Sequence, residues 1–71
     1  MKTISGKNFC KLLESHGWIL ARINGSHYIY VKSDSGLRIS IPVHKNDDLK
    51  IGLLKKLLKI TNISEDSYNK I

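Results

Sequence analysis

Three side chains in this 71-residue chain can take up or release a proton near neutral pH, His16, His27 and His44, because an unperturbed imidazole titrates near pH ~6.5. They stand in unequal places. His27 ends the tripeptide Gly25-Ser26-His27, in which Gly25 supplies a tight turn and Ser26 a local hydrogen bond. The imidazole then lies at the mouth of a hairpin, with no strand to cover it. A base so placed suits proton transfer on a substrate that brings its own nucleophile. His44 is either a second proton-transfer group or a loop histidine that orders the chain before the last long helix. His16, on the apolar side of a first helix, is expected to be packed.

The sequence holds 12 Lys+Arg against 6 Asp+Glu, a formal charge of +6, and a field of that sign speeds encounter with polyanions. Nucleic acid is the leading candidate for a small basic domain. RNA fits the histidine as well, since its 2′-hydroxyl is a built-in nucleophile that a base can set on the adjacent phosphate without metal or cofactor. Arg22, Arg38, Lys45, Lys50, Lys55, Lys56 and Lys59 either line a phosphate path or form a solvated face. Lys50 stands out because it begins a helix, where the backbone favours anions. Cys10 is the single cysteine, so no internal disulfide and no zinc site of paired cysteines is available, and it reads as a small buried hydrophobe.

The elements that must hold these groups follow from pattern. Ser5 caps a helix over about 6–16, with Phe9, Leu12, Leu13 and His16 at helical spacing and Gly17 as its stop. Trp18 to Ile23 reads as a strand, Asn24-Gly25 as a hairpin turn, and His27 to Lys32 as a second strand. After Ser33-Asp34-Ser35-Gly36 a third strand alternates Leu37, Ile39 and Ile41 with Arg38, Ser40 and Pro42. In the second strand Tyr28 and Tyr30 are expected to face the helices, which leaves His27 on the open face; Trp18 reads as core. Asp47 or Asp48 is expected to cap a helix over Leu49 to Ile60, with Ile51, Leu53, Leu54, Leu57 and Leu58 as its apolar stripe. Ser64-Glu65-Asp66 then opens a short closing helix. The prediction is a single α+β domain over 1–71, with a three-stranded antiparallel sheet and the helices on one face. Met1 to Ser5 runs into polar Gly6-Lys7-Asn8 with no long apolar stretch, so no secretory signal or membrane span is expected and the location is read as cytoplasmic.

The order α-β-β-β-α is that of double-stranded-RNA-binding domains. Gly17-Trp18, Gly25-Ser26-His27, Ile41-Pro42-Val43-His44 and the Lys-rich helix with Gly52 occur in that order. Together they resemble the HicA family of toxin endoribonucleases over nearly the whole chain. Gly52-Leu53 stands where that family commonly has Gly-Thr. The resemblance implies a double-stranded-RNA-binding-domain-like fold, metal-independent cleavage of messenger RNA, a HicB-type antitoxin as partner and His27 as the catalytic base. Gly25, Ser26, Arg22, Lys50, His44 and Lys45 are then the expected substrate contacts. The alternative from another class is a non-catalytic RNA-binding module of the same fold. Membrane docking by the Lys-rich helix is set aside, because its leucines are needed to cover the sheet.

Overall fold

The computed structural model describes residues 2–70; Met1 and Ile71, the two ends of the predicted domain, lie outside the described residues. Its elements are α1 (Gly6–Ser15), β1 (Ile19–Asn24), β2 (His27–Val31), β3 (Arg38–Pro42), α2 (Ile51–Thr61) and α3 (Glu65–Asn69). This is the expected α+β order, with a short closing helix.

Helix α1 starts where the Ser5 hydroxyl accepts a hydrogen bond from the Asn8 amide at 3.2 Å, which satisfies one of the amides the first turn leaves free. Phe9, Cys10, Leu12 and Leu13 turn inward from it. Gly17, at φ +90°, leaves the helix behind. The expectation that His16 is packed is corrected. The helix ends at Ser15, so His16 is its C-cap and is exposed, and its carbonyl accepts from Lys32 Nζ at 3.2 Å.

The sheet is an antiparallel meander in the order β1-β2-β3. Tyr28 lies opposite Ile41 and Tyr30 opposite Ile39, and residues directly opposite share a face. This face meets the helices: Tyr30, Ile39 and Ile41 join Phe9, Leu13, Leu54, Leu57 and Leu58 in the core, with Tyr28 packed against it. The Tyr30 hydroxyl donates to Glu14 Oε2 at 2.6 Å, so the ring is buried while its polar tip has a partner. Trp18 is core, as read from the sequence. Leu37, expected to alternate inward, is exposed just before β3, at the open end of the sheet; its carbonyl accepts from the Lys32 amide at 3.0 Å. All six residues of β1 are exposed, and its register shifts between Leu20 and Arg22.

Helix α2 starts later than expected. Asp48 does not cap it. Its carboxylate accepts from the Thr3 hydroxyl at 2.6 Å, and the Leu49 amide donates to the Ile4 carbonyl at 2.8 Å. This pairing with the N-terminal segment keeps 48–49 extended, so the cap position falls to Lys50, which makes no side-chain capping bond. Ile51, predicted on the apolar stripe, is exposed there, whereas Leu54, Leu57, Leu58 and Thr61 are buried. Asn62, in the left-handed region, ends the helix. Ser64 caps α3, whose Tyr68 is fully buried and donates through its hydroxyl to the Lys2 carbonyl at 2.6 Å. No helix among the described residues is long and apolar enough to cross a membrane.

Two glycines have opposite surroundings. A Cβ on Gly6 would stand 2.2 Å from the Pro42 carbonyl oxygen, whereas one on Gly52 would meet nothing within 4 Å. Gly6→Ala is expected to lower stability by about 1–3 kcal/mol through overpacking, and Gly52→Ala to raise it by roughly 0.4–1 kcal/mol through helix propensity and chain entropy. Urea midpoints of the two variants should therefore move in opposite directions.

Burial, followed by the hydrogen bond to Glu14, pushes the Tyr30 phenol above its usual range. The folded state therefore keeps a proton that the unfolded chain gives up near pH ~10. Stability contributed by this group is complete below that pH and declines as pH rises further. Alkaline unfolding followed by circular dichroism should show that decline, and Tyr30→Phe, less stable at neutral pH, should show a shallower one.

Candidate functional site

The turn that presents His27 consists of Gly25 and Ser26, because Asn24 already pairs with His27 across β1 and β2. Of the two turn residues only Gly25 has a positive φ, +62°, the pattern of a type II′ turn whose twist suits a hairpin. Asn24, which the sequence suggested as part of the turn, is the last residue of β1 instead.

Opposite His27 on the other side lies Pro42. The bond beyond this pair runs from the Val43 amide to the Ser26 carbonyl, at 2.7 Å. His27 and Pro42 are thus a non-hydrogen-bonded pair, the kind whose Cα atoms approach to about 4.5 Å. The N–H that Pro42 lacks would have pointed to the outer edge of β3, so the ladder to β2 loses nothing. Ser26 serves through its carbonyl; its hydroxyl makes no hydrogen bond among the described residues.

The Val43 bond sets the course of the chain that follows. The loop over 43–50 is tied at one end to Ser26 and at the other to Ile4 and Thr3. Between these ties the Asp47 amide donates to the His44 carbonyl at 3.0 Å, and Lys45 takes a left-handed φ of 54°, a conformation a lysine adopts at some cost. The result brings His44 to His27, with ring centroids 6.5 Å apart and planes at 79°. Both residues are exposed. Behind His44 a groove of about 320 Å³ is lined by Pro42, Asp47, Lys50 and Leu53, among others.

The predicted residues are brought together unevenly. His27, Gly25 and Ser26 share the hairpin, His44 meets His27, and Lys50 shares the groove with His44. Lys45 is in the same loop and is exposed. Arg22 lies opposite Ile29, and Arg38 opposite Val31. Both arginines therefore stand on the open face that carries His27, where alternation places residues 27, 29 and 31 together. Lys55, Lys56 and Lys59 are exposed along α2, away from the pair in sequence. Pro42, Val43 and Asp47 escaped sequence reasoning as site builders. Their contribution is register and backbone bonding, although the adjacency of Pro42-Val43 to His44 was a usable signal. Among the described residues no group of three or more His, Cys, Asp or Glu is placed to hold a metal ion.

The hairpin histidine, the Pro-Val-His segment and the Lys-rich helix all fall within residues 6–63, which match the family described as the HicA toxin of bacterial toxin–antitoxin systems. The chain belongs to the HicA toxin family. No curated protein matches it. As a HicA-family member the protein is the toxin of a toxin–antitoxin pair, and a cognate antitoxin is its implied partner. The family match takes in α1, the whole sheet and α2; α3 lies beyond it.

Because a Cβ on Gly25 would meet nothing within 4 Å, a substitution there strains the backbone without a clash. Gly25→Val is expected to cost roughly 1–3 kcal/mol through its unfavourable φ. Side-chain NMR spectra of that variant should show the His27 and His44 resonances displaced and those of His16 unchanged.

Proposed function

We propose that this HicA-family toxin is a metal-independent endoribonuclease acting on messenger RNA in the cytoplasm, as one domain, with His27 as general base. In this reaction His27 removes the proton of a ribose 2′-hydroxyl, and the resulting oxyanion attacks the adjacent phosphorus. The bond from phosphorus to the 5′-oxygen of the next nucleotide breaks, leaving a 2′,3′-cyclic phosphate and a free 5′-hydroxyl. The nucleophile is the substrate's own, so the protein has only to move protons, hold the phosphate and offset its charge.

The observation that carries this reading is the exposed histidine pair at the end of the sheet, with its ring centroids 6.5 Å apart and His27 on the sheet face that also carries Arg22 and Arg38. Both rings are exposed and, among the described residues, neither makes a side-chain hydrogen bond, so both are open to a substrate. The start of α2 supports the same surface. Its cap is a lysine, its first turn holds no acid and no side chain bonds its first amides. A cation placed there works against the helix dipole, and a phosphate bound at this point would satisfy both the amides and Lys50. Arg22, Lys45 and Lys50 then make phosphate contacts, and Gly25 and Ser26 let the substrate backbone approach the hairpin.

A HicB-type antitoxin would silence the enzyme by covering this basic, histidine-bearing surface, for which an acidic complementary patch is the natural partner.

Purified protein in excess EDTA should cut RNA and yield 2′,3′-cyclic phosphate ends detectable by mass spectrometry. His27→Ala should retain the fold and slow cleavage by about 10²–10⁴-fold, the usual range for a general acid or base. Lys50→Ala should weaken RNA binding across sequences and reduce the slope of log affinity against log salt by about 1. A protein that shifts RNA in a gel yet never cleaves it would instead be the non-catalytic binding module.

A further inference from the structure

A single base leaves the reaction half-served. When the P–O5′ bond breaks, the departing oxygen must acquire a proton, and among the described residues His44 is the one titratable side chain in ring contact with His27. We propose that His44 is the second catalytic histidine, the acid that protonates the 5′-oxygen, and that the groove behind it seats the departing nucleotide. This rests on the reading of His27 as the base.

The geometry suits in-line transfer. The attacking and leaving oxygens lie on opposite sides of phosphorus, roughly 3.5 Å apart, and each hydrogen-bonds its catalyst at about 2.6–3.2 Å, so the two nitrogens belong roughly 6–9 Å apart. Ring centroids at 6.5 Å, with freedom to turn at the surface, meet that requirement. The planes stand at 79°, so the rings are not stacked face to face, an arrangement that would leave no room for a phosphate between their nitrogens.

The placement is also built into the backbone. His44 follows Val43, whose amide is bound to Ser26, the residue before His27. One hydrogen bond therefore links the two chain segments that carry the rings. His44 also lines the groove of about 320 Å³, together with apolar Pro42 and Leu53, the Lys50 ammonium and the carboxylates of Asp47 and Asp48. Pro42 and Leu53 offer apolar surface to a base and Lys50 an ammonium group to a backbone phosphate, while the two carboxylates can accept hydrogen bonds from ribose hydroxyls. The groove adjoins His44, so the nucleotide it holds is the one whose 5′-oxygen His44 would protonate.

The proton balance closes. His27 gains the 2′-hydroxyl proton, His44 gives one to the 5′-oxygen, and exchange with water restores both rings before the next turnover.

The test compares an ordinary RNA dinucleotide with one whose bridging 5′-oxygen is replaced by sulfur. The second substrate keeps the downstream nucleoside, but its thiolate departs without a proton. His44→Gln, at an exposed position, is expected to fold as the native protein does. It should lose about 10²–10⁴-fold in rate on the ordinary dinucleotide and be close to native on the sulfur analogue, whereas His27→Ala should be slow on both. Native rates for His44→Gln on both substrates, or equal losses on both, would overturn the acid assignment. Full activity of His27→Ala on both would overturn the base assignment instead, so the two failures are distinguishable.

Discussion

A single backbone hydrogen bond, from the Val43 amide to the Ser26 carbonyl at 2.7 Å, carries the pairing of β2 and β3 one step past its last residues. Without it the chain after Pro42 would be free to leave the sheet, and His44 would have no fixed relation to His27. The bond can form because Pro42 sits at a non-hydrogen-bonded position, where a residue without an N–H does not interrupt the ladder to β2. Gly6 contributes from the other side. Only a residue without a Cβ lets the start of α1 come up against the Pro42 carbonyl, and that contact seats the first helix on the end of the sheet nearest the histidines.

The two faces of the sheet divide the work. Tyr28, Tyr30, Ile39 and Ile41 face the helices and supply the sheet's share of the core, where removal of apolar surface from water is the main stabilising term. His27, Arg22 and Arg38 occupy the opposite face and contribute little to that burial. A period of two along β2 makes this separation complete: a slip of one residue would send the tyrosines to solvent and His27 into the core. The hydrogen bond from the Tyr30 hydroxyl to Glu14 holds that register from the α1 side.

Where the loop and the second helix meet, local rules are broken in several ways at once. Lys45 takes a left-handed conformation, and α2 begins with a lysine cap and no acid in its first turn. Gly52 stands in that turn although an alanine would fit. Each choice costs some stability, and all three lie within eight residues of His44. Departures of this kind gather where a surface is shaped for a ligand rather than for the fold. The ties from Thr3 and Ile4 to 48–49 allow the loop to tolerate them, by holding its far end as firmly as Val43 holds the near one.

Local pattern was enough for the element order, the tyrosine orientation, the burial of Cys10 and Trp18, and the caps at Ser5 and Ser64. These depend on period, capping chemistry and turn residues within a few positions of one another. Tertiary contacts decided the rest. His16 looked packed by spacing, but the helix ends one residue before it. Asp48 looked like a cap, but a strand-like pairing 43 residues back along the sequence, with Ser5, took that segment for itself. Leu37 and Ile51 are apolar at the right period yet exposed, because Leu37 stands just before β3 and Ile51 at the very start of α2, where little of the core reaches over them. The motif pointed to His27, while the approach of His44 required the register of β2 on β3 and the bond beyond Pro42. Sequence pattern names the groups able to move protons, but their distance from one another is set by long-range backbone pairing, which no local pattern encodes.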